Sequence, residues 1–206
     1  MPSGFLLLIG SILRFYNLGP IPWPVFDEVF YPVFALNYLE GKNFFSVHPP
    51  LGSYVLSLGI YLYHLLPWTE VISFGTTDIE DITPLAFRWV SALSGVMSIY
   101  VGYKLALEIF NQRGFALLVA LFLTLDGSLL VDSRLGLINI FFSLFGLMAM
   151  LFFIKGIKGN SLSYFSLAGF LLGAAVSVKC NGLGFWLSGL LLTLQFFINT
   201  LLTIRI

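Results

Sequence analysis

The chain has 206 residues, 58% of them hydrophobic and only 10% charged, and ten basic side chains balance ten acidic ones. Soluble domains carry about a quarter charged residues, and at this size one core could not hide so much apolar surface. A mean hydropathy of +0.96 therefore excludes a disordered chain, a soluble enzyme and a nucleic-acid binder with a basic face, leaving an all-α integral membrane protein of several spans.

About 20 residues cross a bilayer. The first apolar run, residues 5–12, is short and starts almost at Met1. It lacks a basic leader and a small-residue cleavage site, so it reads as a first span over about 4–18 with a trimmed or misassigned beginning, not as a signal peptide. Gly19-Pro20-Ile21-Pro22-Trp23-Pro24 cannot be helical, because proline lacks the N–H and restricts its predecessor. Phe26-Asp27-Glu28-Val29 comes next, then an apolar-aromatic stretch to Leu39 in which Pro32 suits the first turn of a helix. His48-Pro49-Pro50 precedes an apolar run over 51–66, and Glu70, Asp78, Glu80 and Asp81 lie in an acidic loop. Together these make a long external loop over 19–83. Further spans are expected over about 84–107, 114–130, 137–154, 162–178 and 183–204.

The run over 51–66 is borderline in length, and Tyr54, Tyr61, Tyr63, His64 and Trp68 are residue types that favour the headgroup level. If it lies on the membrane, Lys104, Arg113, Lys155, Lys158 and Arg205 all fall on one side, as the positive-inside rule requires. Asp27, Glu28, the acidic loop, Arg88, Asp126, Asp132, Arg134 and Lys179 then share the other side. If it spans, Asp27 and Arg88 separate across the bilayer and, with a cytoplasmic N-terminus, the basic loops face outward. The first arrangement is preferred: six spans, with two helices of the external loop along the surface.

Ionisable residues within spans are costly and usually face a protein interior or a cavity. Snorkelling to headgroups accounts for Lys104, Lys155 and Lys158. Arg88, Arg134 and Lys179 cluster with carboxylates, which points to a polar pocket. Asp27-Glu28 alone would read as a helix N-cap. Arg14, just before the same loop, and Arg88 turn that reading toward chemistry, since arginine binds phosphate through paired donors. An acid facing arginines at the bilayer surface suggests an enzyme acting on a lipid-linked phosphate. The single Cys180 excludes an internal disulfide framework and a Cys-rich metal site. His48 and His64 lack companions at zinc-site spacing.

Several of these segments, in this order, resemble one family. Phe26-Asp27-Glu28-Val29 and Val47-His48-Pro49-Pro50-Leu51-Gly52 resemble the first external loop of the protein O-mannosyltransferases. Pro84-Leu85-Ala86-Phe87-Arg88 with Ser91-Ala92-Leu93 resembles that family's second span, and Ser133-Arg134 and Ser177-Val178-Lys179 match in order. The resemblance covers about Arg14 to Lys179. It implies the N-terminal part of a GT-C-type helical bundle, with membrane-surface helices in its first external loop. The implied reaction moves mannose, with inversion, from a dolichyl- or polyprenyl-phosphate donor to Ser or Thr of a protein.

Carried over residue by residue, the resemblance implies Asp27 as the base and Glu28 as a group orienting the acceptor or Asp27. Arg14 and Arg88 would hold the donor phosphate, and His48, Arg134 and Lys179 would shape the pocket or lipid site. It implies no metal and no cofactor; the partners are the lipid donor, a protein acceptor and membrane lipids. Three positions depart from the family pattern: Asn139 where Asp is frequent, Cys180 where Trp is frequent, and Phe30 where many eukaryotic members have His. The expected location is a bacterial plasma membrane with the site facing outward, the endoplasmic reticulum membrane being the alternative. Other readings are a GT-C relative using another sugar or a lipid or cell-wall acceptor, an inactive fragment, and a transporter. Clustering of charge at one surface, not at the midplane, weighs against the last.

Overall fold

The computed structural model describes residues 2–69 and 78–204, so Glu70 and Arg205 lie outside the described residues. Among the described residues the chain is helical throughout, without strand. Helix α1 (Pro2–Phe15) is followed by the proline-rich stretch and a 3-10 turn over Phe26–Val29. Helix α2 (Tyr31–Glu40) carries Pro32 in its first turn and stops at Gly41, whose φ of 66° closes the helix in the left-handed region. Helix α3 (Leu51–His64) begins directly after Pro49-Pro50. Then follow α4 (Leu85–Phe110), α5 (Arg113–Leu125), α6 (Gly127–Arg134), α7 (Asn139–Gly159), α8 (Leu162–Val178) and α9 (Leu183–Ile204).

The helix expected over 114–130 is two helices. Asp126 leaves the helical region with ψ at 121°, and its carboxylate accepts the Leu129 N–H at 2.8 Å. An aspartate with an available amide three residues on prefers to cap, and α6 departs from α5 at 56°. At the other end of the bundle, α7 continues past the expected 154 to Gly159 and places Lys158 against Glu108 of α4, 3.7 Å between charged groups. By length and composition α4 and α7 are apolar enough to cross a membrane, and α5 with α6 makes a third if taken as one bent span. Helix α8 and the segment Ser3–Phe15 are shorter apolar helices.

Helix α4 packs against α1, α3, α5, α6 and α7. Its buried face is built from Ala86, Ser91, Ala92, Ser94, Gly95, Ser98, Gly102 and Ala106. Within lipid, apolar side chains gain little by leaving the solvent, so close packing through small residues does most of the work. Gly95 shows the need: a Cβ there would sit 2.4 Å from the Ser133 Cβ and 2.7 Å from the Arg14 Nε. The main apolar core, with Leu56, Ile60, Phe87, Ile138, Phe141 and Val178, joins α3, α4, α7 and α8 beneath the loop that carries Asp27. Phe5, Phe122, Phe170 and Leu187 are exposed, an outer surface suited to lipid and unlike that of a soluble monomer. This is the fold of an integral membrane protein.

Candidate active site

Adjacent residues in a 3-10 turn point about 120° apart. Asp27 and Glu28 sit in such a turn, entered through Phe26 at a φ of 56°, a conformation that costs a bulky residue about 1–3 kcal/mol. They therefore cannot share one site. Glu28 is fully buried. Its Oε1 accepts from the Arg88 Nε at 2.8 Å and the Gly136 N–H at 2.6 Å. Its Oε2 accepts from the Arg88 Nη2 at 2.6 Å and the Val25 N–H at 2.9 Å. Both oxygens of Glu28, the residue expected to orient the acceptor or Asp27, are thus taken up by contacts inside the chain.

The three arginines are likewise committed inside the chain. Arg88 donates to both Glu28 oxygens and to the carbonyls of Leu18, Ile21 and Trp23 at 3.3, 3.0 and 3.3 Å. A guanidinium has five N–H groups, and all five are used. Arg14, also buried, gives its Nη2 to the Leu123 carbonyl at 2.9 Å and its Nη1 to Gly10 and Thr124, each at 3.4 Å. Arg14 and Arg88, expected to hold a phosphate, here spend their terminal nitrogens on backbone carbonyls and, for Arg88, on Glu28, while the buried Arg14 Nε has no partner among the described residues. Arg134 completes the set, donating from Nη1 to Leu13 and Tyr16 at 2.6 and 2.9 Å and from Nη2 to Asn17 at 3.2 Å. Arg14 of α1 thus caps α5, and Arg134 of α6 caps α1, as cations favour helix C-termini. Arg134, expected to shape the pocket or lipid site, here ties α6 to the end of α1.

The remaining expected residues form a different surface. Asp27 is half-buried, and its carboxylate takes no hydrogen bond or ion pair among the described residues. His48 lies against Tyr31, ring centroids 6.0 Å apart. Burial lowers the His48 pKa from its ordinary 6.5, the Lys179 charge lowers it further and Asp27 opposes both. Burial, then Asp27 and Asp132, raise the Tyr31 hydroxyl above its ordinary value. Asp27, Tyr31, His48, Asp132 and Lys179 thus lie near enough to influence one another's charge. Close helix contact makes this possible: a Cβ at Gly52 would lie 2.7 Å from Ile138 and 3.1 Å from Val178, and that approach brings the His48 end of α3 to the Lys179 end of α8.

Lys179 stands in extended conformation just beyond α8 and donates to the Asn139 Oδ1 at 3.0 Å. The Asn139 Nδ2 donates to the Asp132 Oδ1 at 3.3 Å. Tyr31, Asp132 and Asn139 were absent from the expected site. The available signal was that Asp132 and Asn139 flank the Ser133-Arg134 motif at helix ends, but no periodicity shows that two such ends meet. Among the described residues no three His, Cys, Asp or Glu side chains gather as a metal site would. An apolar cleft of about 240 Å³ between α7, α8 and α9, lined by residues including Phe153, Phe165 and Trp186, lies about 21 Å along α7 from Asn139 at 1.5 Å per residue. Its lining holds no ionisable side chain.

A family model described as dolichyl-phosphate-mannose-protein mannosyltransferase matches residues 4–204. Protein O-mannosyltransferase 1 of Drosophila pseudoobscura pseudoobscura is 33% identical over 196 residues, 92% of this chain and 22% of that protein. Protein O-mannosyl-transferase 1 of Homo sapiens is 28% identical over 177 residues, 84% of this chain and 23% of that protein. A solved structure of the S. cerevisiae protein O-mannosyltransferase Pmt1-Pmt2 complex bound to the sugar donor superposes with a TM-score of 0.76 at 25% identity, covering 89% of this chain and 26% of that one. The chain spans about a quarter of the length of the relatives it matches.

Proposed function

This chain belongs to the dolichyl-phosphate-mannose-protein mannosyltransferase family, and from that premise we propose that it forms part of an inverting glycosyltransferase. The enzyme moves mannose from a polyprenyl- or dolichyl-phosphate donor to a Ser or Thr hydroxyl of a protein acceptor. The observation that carries the reading is the division within one dipeptide: every Glu28 lone pair is engaged, while the neighbouring Asp27 carboxylate is open. Inversion needs a base on the face of the sugar opposite the leaving group. Asp27 takes the acceptor hydroxyl proton as the oxygen attacks the sugar carbon. The bond to the phosphate oxygen breaks with its electron pair, and the phosphate departs as an anion without needing an acid.

Lys179 is the cation of this face with donors to spare, and it replaces Arg14 and Arg88 as the group for the phosphate and its developing charge. His48, whose pKa is lowered first by burial and then by Lys179, rims the same space. The face lies at the end of the bundle opposite Lys158 and Glu108, and the positive-inside rule makes it extracytoplasmic. For the compartment, the outward side of a bacterial plasma membrane and the lumenal side of the endoplasmic reticulum are topologically equivalent. The animal and fungal relatives favour the endoplasmic reticulum.

Labelled polyprenyl-phosphate-mannose and a Ser/Thr peptide, incubated with the purified protein in detergent, test the reading. Mannosylated peptide is the expected product. Transfer of a different sugar, or mannosylation of a lipid only, would replace the reading by that of another GT-C transferase.

A further inference from the structure

The ends of α6, α7 and α8 meet at one side-chain chain, Asp132 to Asn139 to Lys179, and the reaction outlined above uses only its last member. Resting on that reading, we infer that Asp132 and Asn139 are a positioning pair that sets the Lys179 ammonium for the anionic head of a polyprenyl phosphate, and that the pair works only with one carboxylate and one amide.

The geometry dictates the composition. Asn139 acts in both directions, its Oδ1 accepting from Lys179 at 3.0 Å and its Nδ2 donating to Asp132 at 3.3 Å. An ammonium has three donors; one is fixed here, and no carboxylate lies within ion-pair distance of Lys179 among the described residues. Two donors thus remain for an anion. Asn139 opens α7 while Lys179 is off the helix, in extended backbone, so the amide is what ties a flexible four-carbon side chain to a rigid helix start. A carboxylate at position 139 has no donor to offer Asp132. Two like charges about 3 Å apart repel, and the new carboxylate rotates off Asp132 and with it off Lys179. Exchanging the two groups restores the pattern: an amide at 132 donates to a carboxylate at 139, which still accepts from Lys179.

Binding of farnesyl phosphate, a short polyprenyl phosphate, to the purified protein in detergent reads the effect directly. Asn139→Asp is expected to weaken it on the order of tenfold. The exchange Asp132→Asn with Asn139→Asp is expected to return it to within about threefold of wild type. In a Lys179→Met background Asn139→Asp is expected to change nothing further. Full-strength binding by Asn139→Asp, no recovery in the exchange, or an undiminished loss without Lys179 would each overturn the pairing. Binding losses that merely track lowered thermal unfolding across the variants would overturn it too, since the pair would then only hold α6 against α7. Wild type that neither binds farnesyl phosphate nor transfers mannose would overturn the proposed function along with this inference, whereas the variant results alone leave that function standing.

Discussion

Two groups of charge share the loop-bearing end of the bundle. In the inner layer, Glu28 pairs with Arg88, and Arg88, Arg14 and Arg134 donate to carbonyls of the proline-rich stretch and of the ends of α5 and α1. On the outer face, the Asp27 carboxylate takes no hydrogen bond or ion pair among the described residues, and Lys179 keeps two donors. Burial explains the contrast. A charge taken out of water is costly unless it is paired and hydrogen-bonded, and the inner layer is close to saturated, although the buried Arg14 Nε has no partner among the described residues. A charge that is to meet a substrate must be left incomplete. Identity of side chain does not separate the two roles; saturation does.

The comparison breaks first at Asp27. Asp27→Asn is expected to lower mannose transfer about 10²–10⁴-fold while thermal unfolding stays within about 0.5 kcal/mol of wild type. Normal turnover would return Asp27 to the role of a cap. Glu28→Gln or Arg88→Met attacks the other layer: removing one partner of a buried pair costs about 3–5 kcal/mol of stability. Chemical denaturation in detergent measures it, and a folded Arg88→Met protein with a donor-binding defect alone would restore Arg88 to the phosphate.

Lys179→Gln is expected to raise the donor KM on the order of tenfold with the acceptor KM unchanged; a selective acceptor defect would move the phosphate elsewhere. Arg134→Ala frees the carbonyls of Leu13, Tyr16 and Asn17, and a loss of about 1 kcal/mol is expected in thermal unfolding, without change in donor KM. The smallest effect is one of pH. The His48 pKa is lowered in the fold, by burial first and then by Lys179, so the folded state binds its proton less readily than the unfolded chain. Stability is then full above the ordinary 6.5 and declines as pH falls below it. The acid limb of a melting profile should flatten in His48→Gln.

Much of the fold was legible because membrane helices announce themselves by length and apolarity. Prolines at 32, 49–50 and 84 fixed where α2, α3 and α4 begin, and the segregation of basic loops placed Asp27 and Arg88 at one end. The break at Asp126 was less legible, since an aspartate ending an apolar run reads equally as a span boundary or an internal cap. Within the candidate site, residue type pointed to Asp27, His48 and Lys179, which influence one another, and equally to Glu28, Arg14 and Arg88, which are taken up by contacts inside the chain. An arginine poised for phosphate and an arginine capping a carbonyl are the same letter.

Composition and pattern alone decided that this is a helical membrane protein, and which end of it holds the acids, because those properties depend on each residue's own solvation and on local periodicity. Which charges stay open, and that Asp132, Asn139 and Lys179 form one chain, was decided only when distant helix ends met, because hydrogen-bond saturation is a property of neighbours in space.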